Sequence, residues 1–296
     1  MLQRVRVFAA ERQALAGAAK LEQSLSQKRK PDPISDSEYF LLIDAVGVAA
    51  TLVMFELGRS SSTGHIISRN FVARGKRILD AIRLLWQAEA YSDCWSLHRT
   101  LLDRLFHLHV LSHDKSFAVF EEWSFIQQYE ARNAILSDPD FRDKLDPSFV
   151  KSDATEQSRY KQLKARGVTW SRPKAEDAAK LLGYPFLYKY GYDFASTHIH
   201  PMANDGQDEF LRITRLGAPR MFEHKVILRN SVLAYILLVQ EALVASQLRW
   251  NSVVVSFFES AVAALSGDVL TYKLVFQKFD SVGPEGPWSD LPRSTG

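Results

Sequence analysis

Two stretches of the sequence carry residue types that can hold an anion or move a proton. The first is residues 92–113, Ser-Asp-Cys-Trp-Ser-Leu-His-Arg-Thr-Leu-Leu-Asp-Arg-Leu-Phe-His-Leu-His-Val-Leu-Ser-His. On a helix Ser92, Ser96, Arg99, Asp103 and His107 fall in one narrow stripe, with Leu97, Leu101, Leu105 and Leu108 opposite. Arg99 and Asp103 have the i,i+4 spacing of a helical ion pair. An arginine held this way offers a fixed fork of donors to a phosphate or carboxylate. The plainer alternative is a solvated polar face. The same helix carries Arg104 and His109, an arginine for phosphate and a histidine that titrates near neutral pH. On a straight helix they lie about 140° apart, so they converge only across a bend or a dimer interface. Their plainer alternative is a surface arginine and a half-buried histidine.

The second stretch is Tyr190-Gly-Tyr192-Asp-Phe-Ala-Ser196-Thr-His198-Ile-His200-Pro201. His198 and His200 point in different directions on a helix but can share a ligand in a turn. The acids nearby, Asp193 and Asp205, give no standard metal-ligand spacing, so no metal is assigned. Pro201 biases His200 away from helical geometry and suggests a helix end. One reading pairs His200 with Ser196, Tyr192, Arg99 and Asp103 in a single pocket. The other makes it a packing histidine bonded to a neighbouring helix. Lys161, Lys164, Arg166, Arg172 and Lys174 offer a modest basic patch for phosphate contacts, or a solvated face balanced by Glu156 and Glu176.

No dinucleotide or phosphate-loop glycine pattern occurs, and no His-Glu-x-x-His, Gly-x-Ser-x-Gly or Glu-x-x-His. P-loop hydrolysis, zincin chemistry, α/β-hydrolase chemistry and a di-iron bundle site therefore have no support.

The elements that position these residues read as helices. The spacing predicts them at about 2–27, 38–58, 65–88, 91–112, 116–137, 220–249 and 251–265. No segment shows the alternation of half-buried strands. The expected fold is all-α, a multi-helix bundle of about six to nine helices with no substantial sheet. An N-terminal helix and linker occupy 1–35, and a single helical domain 36–280. Within that domain 138–182 is a polar excursion with short helical pieces at 140–145, 153–166 and 174–182. Residues 206–219 read as a loop, 268–280 as a last apolar segment, and 281–296 as a disordered tail rich in Pro, Gly and Ser.

The chain has 296 residues, 46% of them hydrophobic and 24% charged, which excludes a wholly disordered chain. A net charge of +3 is too small to argue for nucleic acid by itself. The single cysteine, Cys94, excludes an intramolecular disulfide and a Cys-rich metal site. The run Tyr39 to Gly58 has the length of a membrane span, but Asp44 and Glu56 interrupt it, so it reads as a core helix. Val226 to Leu248 reads the same way. Arg4, Arg6, Glu11 and Arg12 break up the only N-terminal apolar run. The expected location is the cytoplasm, with no membrane contact.

The string Arg104-Leu-Phe-His-Leu-His109 resembles the Arg-x4-His motif of the HEPN helical ribonucleases, although Leu105 stands where a polar residue often follows the motif's Arg. The resemblance implies Arg104 on a phosphate and His109 in acid/base work on a 2′-hydroxyl. Asp80-Ala-Ile-Arg-Leu-Leu, then Ser96-Leu-His-Arg99-Thr-Leu-Leu-Asp103, then Ser196-Thr-His-Ile-His200-Pro resemble a widespread prokaryotic all-helical family of unknown function. That family carries an Arg-Thr-Leu-Leu-Glu-type string followed by Tyr and Ser-x-x-x-His. The resemblance covers about residues 40–245, favours His200 over His198, and has Glu where Asp103 stands. Some similar proteins look to belong to mobile-element or defence neighbourhoods. The implied site set is Arg99, Asp103, Arg104, His109, Ser196 and His200, with no cofactor. The implied function is a HEPN-like metal-independent ribonuclease or nucleic-acid-related defence component. The alternative is a non-enzymatic helical binding or regulatory module sensing an anionic small molecule or a partner protein. RNA, an anionic ligand, a second copy and a partner protein are the expected partners.

Overall fold

The computed structural model describes residues 35–142, 144, 153–200, 202–203, 206–217, 224–246, 248 and 251–265. The expected N-terminal helix 2–27, the apolar segment 268–280 and the tail lie outside these residues. Every regular element among the described residues is helical, and no strand occurs among them, so the fold is an all-α bundle.

Helix α1 (Asp36–Gly58) starts where Ser35 forms a capping box with Glu38. The serine hydroxyl accepts from the Glu38 N–H at 3.4 Å, and the Glu38 carboxylate accepts from the Ser35 N–H at 3.3 Å. Leu42, Ile43, Val46, Leu52 and Val53 are buried along it. The two acids that interrupt its apolar run look outward. Asp44 accepts from Arg83 at 2.8 Å, and Glu56 from Arg59 at 2.9 Å. Asp36–Gly58 and Val226–Ala245 are long and apolar enough to cross a membrane, and 56% and 61% of their apolar windows are buried inside the protein. Both are helices of the core.

Helix α2 (Thr63–Gln87) is capped by Ser62, whose hydroxyl accepts from the His65 N–H. Helix α3 (Tyr91–His113) packs against α2 and against the long helix from His224 to Ala245, and these three form the centre of the bundle. Gly75 of α2 is required there. A Cβ at that position would stand 2.6 Å from Leu238 and 3.2 Å from the ring of Tyr235, which is fully buried.

The expected helix at 116–137 is α4 (Phe117–Ser137); the polar excursion after it opens with a single turn at Pro139–Arg142 and continues as α5 (Ala154–Ala165), which packs back on α4. Only Ile126 and Tyr129 of α4 and Leu163 of α5 are buried. Ion pairs join the two helices: Arg159 to Glu121, Lys164 to Glu130 at 2.6 Å, Arg166 to Glu122 at 3.0 Å, and Arg132 to Glu156. Lys164 and Arg166 are thereby neutralised, and the basic patch expected here loses two of its charges. After Arg166 the chain returns to the bundle. Trp170 packs on Phe120 and Trp123, and α6 (Ala175–Leu181) buries Ala178 and Ala179 against α3.

The next segment winds as a π-helix from Leu187 to Asp193 and continues as a short α-turn, Phe194–Ser196. Residues 207–214, expected as loop, form α7 (Gln207–Thr214), introduced by Gly206 in a left-handed conformation with φ 76°. Its face alternates too briefly between Gly206 and Gly217 to stand out as a helical period. Helices α8 (His224–Ala245) and α9 (Asn251–Leu265) complete the described bundle.

Candidate functional site

The polar stripe of α3 meets the π-helical segment, and there four side chains converge. Arg99 donates from Nε to the Ser196 hydroxyl at 3.0 Å and from Nη2 to the Tyr192 hydroxyl at 2.8 Å. Its guanidinium carbon lies 4.5 Å from the Tyr192 ring centre, within cation–π range. Its Nη1 faces Asp103 at 3.9 Å, an ion pair too long for a hydrogen bond.

The protons in this cluster are assigned by its geometry. Ser196 donates its own hydroxyl proton to the Tyr192 carbonyl at 2.8 Å, so its lone pairs face Arg99. Tyr192 accepts from Arg99. Burial raises the Tyr192 pKa most, and the negative charge of Asp103 raises it further. A guanidinium has five N–H donors. Two are committed here, and the two on Nη1 have no hydrogen bond among the described residues. About a quarter of the Arg99 side chain (26%) is exposed.

His200 sits one turn beyond Ser196. Its backbone N–H donates to the Ser196 carbonyl at 3.3 Å, and its side chain is exposed, with no hydrogen bond or ion pair to a described residue. His198 is a packing residue. Its ring stacks on Trp95 with 10° between planes, and its carbonyl accepts from the Ser96 hydroxyl.

Arg104 and His109 are not brought together within the chain. Arg104 donates to the Thr100 carbonyl of its own helix at 2.7 Å, and its pKa is lowered by burial and by the nearby Arg74. His109 lies 3.1 Å from Glu241 of α8. Among the described residues no cluster of three His, Cys, Asp or Glu could hold a metal ion. Cys94 is buried, and burial pushes its thiol up to about 12, which removes it as a nucleophile.

The residue that sequence reasoning passed over is His98. It is buried, and its Nδ1 lies 3.0 Å from the Ser231 hydroxyl of α8. Ser231 gives its proton to the Ile227 carbonyl at 2.7 Å, so Nδ1 of His98 must be the donor. Nε2 is then a bare acceptor, without a partner among the described residues, and faces Gly191 of the π-helix. Burial pushes the His98 pKa down to about 3. Its place among Leu101, Leu102 and Leu105 on the apolar face of α3 was the available signal.

A family model matches residues 65–212, half of the chain, and describes a family of unknown function, DUF5677. The match runs from α2 to α7 and so contains Arg99, Asp103, Tyr192, Ser196 and His200. No curated protein and no solved structure matches the chain.

Proposed function

Since the chain belongs to the DUF5677 family, whose function is unknown, we propose from its own side chains that it is a helical binding or regulatory module that takes an anionic group at Arg99. One observation carries this reading. Tyr192 and Ser196 orient the guanidinium from one side and leave the Nη1 donors facing only a loosely paired carboxylate, on a side chain about a quarter (26%) exposed. A phosphate or carboxylate arriving there meets donors already fixed in place, and the orientation cost of binding is reduced.

A second reading is metal-independent RNA cleavage of the HEPN-like kind. It is favoured by the position of His200, one turn past Ser196 and exposed, where a histidine can exchange protons with a bound phosphodiester. In this form the arginine is Arg99 and the histidine His200, while Arg104 and His109 serve only if a second copy brings them together.

The test is calorimetric titration with inorganic phosphate, together with cleavage of labelled RNA in EDTA. Arg99→Ala is expected to weaken phosphate binding roughly tenfold, the low end for a charge-assisted contact at a partly exposed site. Arg104→Ala should leave it unchanged. Equal binding by wild type and Arg99→Ala would sink the proposal. RNA cleavage lost in His200→Ala and kept in His109→Ala would establish the second reading.

A further inference from the structure

A cleft of about 600 Å³ opens between the C-terminal end of α3, the N-terminal end of α4, the chain around Thr169–Pro173 and the first turn of α6. That volume is within the range of small-molecule sites. None of the residues of the Arg99 cluster lines it. Trp170 supplies an aromatic wall, held by Phe120 at 4.7 Å and Trp123 at 5.0 Å between ring centres. Leu181 adds apolar surface.

The polar groups of the cleft are of both signs and incompletely used. The side chains of Lys174 and Asp177 form no ion pair or hydrogen bond with a described residue, although both line the same cleft; Glu176 and Lys180 beside them act on them only through space. Asp114 accepts from His113 through Oδ1 at 2.7 Å, which leaves its other oxygen open. Ser116 stands at the N-cap of α4, where a serine ordinarily accepts from the helix N–H groups, yet its hydroxyl makes no capping bond. That oxygen is shielded from solvent and without a hydrogen-bond partner among the described residues. A hydroxyl closed off in this way does not face a ligand in the cleft, so the charged groups carry the recognition.

We propose that this cleft binds a free aromatic amino acid as its zwitterion. The ammonium group sits between Asp177 and Asp114, the carboxylate takes Lys174, and the ring packs on Trp170. The charges select against the simpler ligands. A bare cation is repelled by Lys174, and a bare anion by the two carboxylates, so only a molecule carrying both charges is matched throughout. The aromatic body follows from Trp170, since two rings in offset or edge-on contact gain beyond the area they bury.

The experiment is calorimetric titration of the full chain with L-phenylalanine, phenethylamine and 3-phenylpropanoate. L-Phenylalanine is expected to saturate the protein, and the amine and the acid to bind roughly tenfold more weakly. Asp177→Asn and Lys174→Met change exposed side chains and keep the fold, and each should weaken L-phenylalanine binding several-fold. Arg99→Ala should leave it unchanged, which separates this site from the anion site. Absence of saturable binding overturns the proposal, as does equal affinity for phenethylamine, or Asp177→Asn binding like wild type.

Discussion

Arg99 and Arg104 lie five residues apart on one helix and meet opposite fates. Arg99 is held by side chains from the π-helical segment, 93 and 97 residues further along the chain, and keeps donors to spare. Arg104 spends a donor on a carbonyl four residues back and is half-buried beside another arginine. A similar contrast separates His200, exposed one turn beyond Ser196, from His109, set against Glu241. The difference teaches that the type and local spacing of a residue make it eligible, while a second element arriving from far along the sequence makes it a site. The Arg104–His109 string is local, and among the described residues no second element engages both side chains.

The comparison is broken most strongly at Gly191. The π-helix approaches α3 closely here, and a Cβ would stand 2.9 Å from Leu102 and 3.4 Å from Nε2 of His98. Leu102 is fully buried, and the His98 ring is fixed by Ser231, so neither can yield freely. Gly191→Val should cost about 3 kcal/mol by overpacking. It should also weaken phosphate binding by displacing Tyr192, the next residue, from Arg99. Urea unfolding and phosphate titration of the same variant check both. A variant as stable as wild type would show that the close approach is not what seats the segment.

Much of the bundle was legible in the sequence, and the reasons differ by element. Helices α2 and α3 carry apolar residues at helical spacing, and their observed ends, Thr63–Gln87 and Tyr91–His113, fall within two residues of the expected ones. The π-helical turn was not legible, because an extra residue in a turn leaves no mark on an apolar period. The neutralisation of Lys164 and Arg166 by Glu130 and Glu122 was hidden for a related reason. The partners lie on another helix, 34 and 44 residues back, and no local spacing joins them. Of the four residues that converge, Arg99 and Asp103 share a helical stripe and were visible as a pair. Their link to Tyr192 and Ser196 stood as one of two readings of the second stretch, beside a packing role for His200, and no periodicity could decide between them. His98 was passed over although its spacing to Leu101, Leu102 and Leu105 placed it on the apolar face of α3, because its type alone does not separate a histidine that packs from one that reacts.

His98 supplies the next test, because its ring abuts Gly191, the residue before Tyr192, which holds Arg99. Its folded pKa of about 3 is below the ordinary histidine value of 6.5. The unfolded chain therefore binds a proton between these values that the folded chain refuses. Stability rises with pH through this window, is complete above about 6.5, and is lost as pH falls toward 3. For one proton the loss at pH 5 is about 2 kcal/mol relative to pH 7. His98→Asn keeps a donor near Ser231 and cannot titrate. Urea unfolding at pH 7 and pH 5 should show a smaller pH-dependent loss in the variant by about that amount. Equal losses in both proteins would mean that His98 also carries the second proton in the fold, and Nε2 would then be a donor rather than a bare acceptor.

The smallest effect sharpens the comparison most. Ser196→Ala removes one acceptor from Arg99 and leaves Tyr192 and Asp103 in place. The serine hydroxyl is half-buried, and its own proton goes to the Tyr192 carbonyl, so the alanine variant also leaves that carbonyl with one bond fewer. The stability cost should be about 1 kcal/mol, the net worth of one such hydrogen bond. The effect on phosphate binding should be smaller than that of Arg99→Ala, because the guanidinium stays and only its orientation loosens. If orientation by the distant segment is what distinguishes Arg99 from Arg104, Ser196→Ala must weaken phosphate binding by a measurable factor, roughly two- to fivefold. Thr100, whose carbonyl receives Arg104, gives the matching control. Thr100→Val preserves that carbonyl and should leave phosphate binding where it is in wild type. A Ser196→Ala variant that binds phosphate as tightly as wild type would reduce Arg99 to an exposed charge, and the two arginines would then differ only in burial.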